Sequence, residues 1–95
     1  MTKRDAYMDK MKAKIDEWNA EIDKYEAKAK AAQADARVRY EEQVSAMRMQ
    51  RAKAREKLRE LQEAGDDAWE DLRESFEAAW ESLSKGFRDA ADRFK

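Results

Sequence analysis

Ala64-Gly65-Asp66-Asp67-Ala68-Trp69-Glu70-Asp71-Leu72 is the stretch on which the fold turns. Gly65 suits the left-handed position just past a helix end. Asp67 and Glu70 then make an acidic N-cap and N3 pair for a new helix. The rival reading is that Gly65 only bends one continuous helix, at ~1 kcal/mol relative to Ala. Stop and start signals coincide here, so the expectation is a turn at 64–67 between two helices.

After this turn the chain repeats itself every 11 residues. Asp66 to Phe76 aligns with Glu77 to Phe87, and Ala90, Ala91, Asp92 and Phe94 begin a third copy. Eleven residues make almost three helical turns, so repeat positions stay on one face. Trp69, Leu72, Phe76, Trp80, Leu83, Phe87 and Phe94 all fall on that face, and nearly every charge lies off it. The spacing predicts an amphipathic helix over about 67–94.

Before the turn nothing obvious breaks a helix. Thr2 can cap its start, with Asp5 three residues on. Apolar residues recur at alternating steps of three and four at Met8, Met11, Ile15, Trp18, Ile22 and Tyr25, then through alanines to Ala36. The stripe resumes at Tyr40, Val44, Met47, Ala54, Leu58 and Leu61 after a stutter at Ala36. The expectation is one helix over about 3–64, ~93 Å long at ~1.5 Å per residue.

Folding the shorter helix back antiparallel at Gly65 brings together residues whose numbers sum to about 130. Leu58 then meets Leu72, Ala54 meets Phe76, Met47 meets Leu83, Val44 meets Phe87, Tyr40 meets Ala90, and Ala36 meets Phe94. Tyr40, Val44, Met47, Leu58, Leu61, Trp69, Leu72, Phe76, Trp80, Leu83, Phe87 and Phe94 are the expected hairpin core. Charge supports the pairing: residues 1–64 carry a net +3 and residues 65–95 a net −4. Arg48, Arg51, Arg55 and Arg59 form a like-charged column, which destabilises an isolated helix. It makes sense beside an anionic neighbour, so Arg59 is expected near Glu70, Arg48 near Glu81, and Arg51 over the Trp80 ring.

The returning helix is too short to cover residues 1–35. That arm would project with Met8, Met11, Ile15, Trp18, Ile22 and Tyr25 bare, so these six are expected to bury themselves in self-association. The fold expected is all-α: a single helical domain over 1–95, an antiparallel coiled-coil-like hairpin of unequal arms. The hairpin spans 36–95 and assembles into an oligomeric bundle, a homodimer or larger, or binds another helical protein. The competing possibility is a second turn near Gln33 that gives a three-helix bundle. No Gly or Pro marks that turn.

Composition narrows the function. Ala, Glu, Lys, Leu and Arg supply 55 of the 95 residues, the composition of long helices and coiled coils. There is no Cys and no His, which removes thiolate nucleophiles, the commonest general base and the commonest metal ligands. The adjacent carboxylates Asp66-Asp67 and Glu41-Glu42 point different ways on a helix, and nothing desolvates either pair. No catalytic, cofactor-binding or metal-ligating residue is assigned, and the chain reads as non-enzymatic. Arg37, Arg48, Arg51, Arg55 and Arg59 could hold phosphates, but the net charge of −1 speaks against nucleic acid. The rival function is an amphipathic helix that orders on lipid or under dehydration, although its charges are mostly acidic where lipid surfaces usually meet basic ones. No apolar run approaches a membrane span and no secretory leader is visible behind Met1, so the default compartment is the cytoplasm.

Trp18-Asn19-Ala20-Glu21-Ile22-Asp23, the Ala64 to Leu72 stretch and the closing Ala90-Ala91-Asp92-Arg93-Phe94-Lys95 together resemble a family of small bacterial coiled-coil proteins of largely unknown function. Some of these are labelled stress-response proteins. The resemblance covers most of the chain. It implies a bacterial source and a stress context, and it brings no catalytic or binding residues.

Overall fold

The computed structural model describes residues 2–94. Three helices follow one another: α1 (Lys3–Ala31), α2 (Ala34–Glu63) and α3 (Asp66–Asp92). They pack into an antiparallel up-down-up bundle with principal extents of 52 × 22 × 18 Å. The helix expected to run unbroken over 3–64 is therefore broken, and the second turn stands at Ala32 and Gln33.

The local reason for each start and stop is visible. Thr2 opens α1 with a full capping box: its hydroxyl accepts from the Asp5 amide (3.1 Å), and the Asp5 carboxylate accepts from the Thr2 amide (3.3 Å). At the first joint Ala32 and Gln33 are both extended, at φ −78°, ψ 154° and φ −66°, ψ 160°. Any L-residue adopts that backbone, so no Gly or Pro is needed. Orphaned carbonyls at the end of α1 find a donor in Arg37, whose Nη2 reaches the Lys30 (3.4 Å) and Ala32 (3.3 Å) oxygens.

Magnitudes explain why the joint forms. Leaving six large stripe residues in water forgoes ~1.5–3 kcal/mol each, roughly 10 kcal/mol together. Opening a helix at one point gives up a few backbone hydrogen bonds at a net ~0.5–1.5 kcal/mol each. Burial wins. Met8, Met11, Ile15, Ile22 and Tyr25 are buried and Trp18 half-buried, all against α2 and α3 of the same chain. The premise for covering this stripe with a second chain is thus removed.

The second joint, Ala64–Gly65, repeats the first. Both residues are extended (φ −64°, ψ 141° and φ −71°, ψ 161°), and Gly65 precedes α3 as its N-cap. Gly65 is not left-handed, and Asp67 lies inside the first turn of α3 rather than at its cap. Here Arg4 caps the helix end. Its Nη2 donates to the carbonyls of Ala64 (2.6 Å) and Gln62 (3.0 Å), and Nη1 pairs with Asp66 (3.1 Å). Its guanidinium also lies 5.5 Å from the Trp69 ring centroid.

The core has two halves. Met8, Met11, Ile15, Ala54, Leu58, Leu61, Trp69 and Phe76 form the one nearest the second joint, with Leu83 packed at its edge. Ile22, Tyr25, Val44, Met47, Phe87, Ala90 and Phe94 form the other, bordered by Tyr40. Trp18 touches both. Of the residues expected in the hairpin core, Leu72 is 38% exposed. Tyr40 stacks on Phe94 (4.7 Å) rather than meeting Ala90, and Gly86 faces the Gln50 amide. The α2–α3 register is thus displaced by about one helical turn from a symmetric hairpin about Gly65. The rings on α1, absent from a two-helix account, set where α3 sits.

Those rings form a ladder. Tyr7 meets Trp69 (5.7 Å) and Phe76 (6.2 Å) edge to face. Trp18 stacks on Trp80 (4.5 Å) and Phe87 (4.4 Å), and Tyr25 stacks on Phe94 (4.4 Å). Tyr7, Trp18 and Tyr25 are spaced 11 and then 7 apart, as are Phe76, Phe87 and Phe94. The 11-residue repeat of α3 therefore has a counterpart on the parallel helix α1. Such ring pairs add ~0.5–1.5 kcal/mol each beyond their buried area.

Candidate functional site: an arginine face between the first two helices

Arg48, Arg51, Arg55 and Arg59 recur at steps of three, four and four, so α2 displays them along one side. The first joint folds α1 against that side. Arg48 pairs with Glu26 of α1 (2.6 Å), which Lys30 also approaches (3.5 Å). The Arg48 hydrogen bond, then its charge, holds the Glu26 carboxyl below its usual range. Arg59 stays within its own helix, bonded to Glu56 and Glu63.

Arg51 and Arg55 differ from these two. Both donate to one neutral atom, Asn19 Oδ1, at 3.0 Å each. Among the described residues neither has a carboxylate within 4.0 Å. Arg51 is half-buried and its Nε is enclosed without a hydrogen-bond partner. Burial, then the charges of Arg55 and Arg48, lowers its pKa, with Asp23 opposing. A guanidinium nevertheless keeps its proton in proteins. The outcome is a pair of cations whose charge is not balanced by direct ion pairs.

Directly beside them runs a groove lined by α1 and α2 alone. Ile15 and Leu58 give it apolar surface, Lys12, Arg55 and Arg59 supply positive charge, and Asp16 and Gln62 complete it. Its volume is about 300 Å³. Chemically the arrangement offers charge-assisted hydrogen-bond donors above apolar surface, which suits carboxylates carried on a helix or strand.

The expected partners of the column are not the ones found. Arg59 pairs with Glu56 and Glu63 rather than Glu70, and Arg48 with Glu26 rather than Glu81. Arg51 binds Asn19, while Trp80 stacks on Trp18. The reason is the same throughout: α1, folded back by the first joint, occupies the side of α2 that carries these arginines. On the acidic border of α3, Glu70 and Glu77 pair with Arg73 and Asp66 with Arg4.

The structural roles of four residues are not read from the sequence: those of Arg4, Tyr7, Asn19 and Arg37, the last expected only as a member of the arginine stripe. Tyr7 left a signal, since its 11-residue distance to Trp18 equals the repeat length of α3. Counting strict heptads selected Met8 instead. Arg4, Asn19 and Arg37 left none, because their roles depend on a joint that the sequence does not mark.

Among the described residues no group of three or more acidic side chains is placed to hold a metal ion. No helix among them is long and apolar enough to cross a membrane. Comparison with protein-family models, with curated proteins and with solved structures gives no match.

Proposed function

We infer that this chain is a non-enzymatic helical interaction protein that folds in water as one bundle and works through contacts of its charged outer faces, self-association included. One observation carries the reading: most of the apolar stripe residues are covered within the bundle, while half-buried Arg51 and exposed Arg55 share only a neutral Asn19 oxygen. Such a pair favours an acidic partner over solvent alone. The likeness to small bacterial coiled-coil proteins supplies the stress-related context.

The second reading is an amphipathic protein that opens onto lipid. It is favoured by the aromatic face of α3 and by two joints of plain extended backbone, which resist unfolding of the bundle no more than a loop does. Far-UV circular dichroism of the dilute protein, with and without anionic vesicles, separates the two. High helicity unchanged by vesicles supports the interaction protein. Low helicity that climbs steeply with lipid overturns it in favour of the second reading.

A further inference from the structure

α3 carries a second charged feature that the bundle leaves unused. Asp67, Asp71, Glu74 and Glu81 are exposed, and among the described residues none of them takes part in an ion pair. Their steps of four, three and seven place them within an arc of about 80° at ~100° per residue. Exposed Ala78 sits in the middle of the same line. The stripe is thus a row of free carboxylates interrupted by one small apolar side chain.

The groove between α1 and α2 is its complement: Lys12 and Arg55, neither in an ion pair among the described residues, stand over the apolar surface of Ile15 and Leu58, with Asp16 at the edge. No residue of α3 lines that groove, so the two features lie on different sides of one molecule and cannot meet within it. We propose that the groove receives the α3 acidic stripe of a second copy of this chain. Ala78 lets the incoming helix approach the groove's apolar surface, and the carboxylates beside it reach Arg55 and Lys12.

A second copy is favoured over other anions because each chain carries both halves. The two surfaces differ, so the contact is head-to-tail, and repetition gives a ring or an open chain. Exposed ion pairs are weak and screened, so the association is reversible and salt-dependent. This proposal rests on the interaction reading above and gives it a partner and a pair of surfaces.

Charge-swapped variants test it. In Lys12→Glu/Arg55→Glu the groove becomes acidic, and in Asp71→Lys/Glu74→Lys the stripe becomes basic. Sedimentation equilibrium is run at about 0.01 M and about 1 M salt, where screening lengths are ~30 and ~3 Å. The wild-type protein is expected to gain mass with concentration at low salt and to sediment as a monomer at high salt. Each variant alone is expected to be monomeric at both, and an equal mixture to regain association, since each supplies what the other lost. The single changes Arg55→Gln and Glu74→Gln, which disturb folding least, are each expected to weaken association about 1.5- to 5-fold. Circular dichroism confirms that every variant keeps its helices. A wild-type monomer at low salt overturns the proposal, as does association that the variants leave unchanged. Loss of association on adding a short oligonucleotide, with the groove variant failing to bind that oligonucleotide, also overturns it, in favour of nucleic acid. Lipid-dependent helicity, by contrast, is what fells the interaction reading itself.

Discussion

The two interhelix joints have nearly the same backbone and very different sequences. Ala32–Gln33 and Ala64–Gly65 are each two extended residues with negative φ. At each an arginine caps the end of the helix that finishes there, Arg37 at the first and Arg4 at the second. Only the second contains a glycine, and that glycine uses none of its special freedom. The lesson is that the turns are imposed by what they fold together, with the joint residues merely permitting them.

The largest test of that statement is Trp18→Ala, which removes the ring that touches both halves of the core. A loss of about 3–5 kcal/mol in chemical denaturation is expected. A loss under ~0.5 kcal/mol would mean that α1 is not held against α3 and that the first joint is open.

Next comes the contrast between the two caps. Arg4→Ala removes carbonyl contacts, an ion pair and a ring contact from a side chain only 27% exposed, and should cost about 1–3 kcal/mol. Arg37→Ala loses two long, exposed hydrogen bonds and should cost about 0.5 kcal/mol or less. Equal losses would break the distinction.

Tyr7, packed at the second joint's end of the bundle, gives a pH test. Burial, then the charge of Glu77, pushes its phenol from 10.0 up to about 12, and its hydroxyl has no hydrogen-bond partner within 3.5 Å. The raised value means the folded state holds the proton more tightly. Its contribution is complete below pH 10 and is lost as pH rises from about 10 to about 12. Tyr7→Phe should remove that part of the alkaline decline, on the order of 1 kcal/mol after allowance for solvent screening. Denaturation curves of the two proteins across this range that stay parallel would show an unperturbed phenol.

The smallest effects come from the joint residues themselves. Gly65 is the N-cap of α3, with φ −71° and open space where a Cβ would sit, so Gly65→Ser should stabilise by about 0.4–1 kcal/mol. Gln33 has φ −66° after an extended Ala32, a geometry proline accepts, so Gln33→Pro should stabilise by a similar ~0.4–1 kcal/mol. Each gain would show as a rise of a few degrees in thermal midpoint, about 2–8 °C. A fall in midpoint for Gln33→Pro would show that the first joint does not keep its extended backbone.

These joints also mark how far the sequence could be read. α3 was legible because its 11-residue repeat keeps rings on one face whatever surrounds it. The Thr2–Asp5 cap was legible because a capping box is local. Gly65 pointed to the right place through a left-handed geometry that the chain does not adopt. Ala32–Gln33 carried no mark, since good helix formers surround it and only the burial of Met8 to Tyr25 decides against continuing. From that one missing turn follow the misplaced partners of Arg48, Arg51 and Arg59, the one-turn error between α2 and α3, and the expectation of a bare N-terminal arm. The candidate site was legible as a column of arginines and illegible as a groove, because its other wall is α1.

The ring ladder has a consequence for alignment. A perfectly regular heptad can slide by seven residues and find equivalent neighbours. Tyr7, Trp18 and Tyr25 are unevenly spaced, and so are the four large rings of α3 and Phe94 just past its end. Only with α1 positions matched to those 62 and 69 residues later does every α1 ring find two α3 ring positions, and a slip of one heptad either way leaves two of the three α1 rings with only one. The uneven marks act as a vernier scale does, reading an absolute position where equal divisions would repeat. Two parallel helices that share no connecting turn are thereby told where along each other to stop.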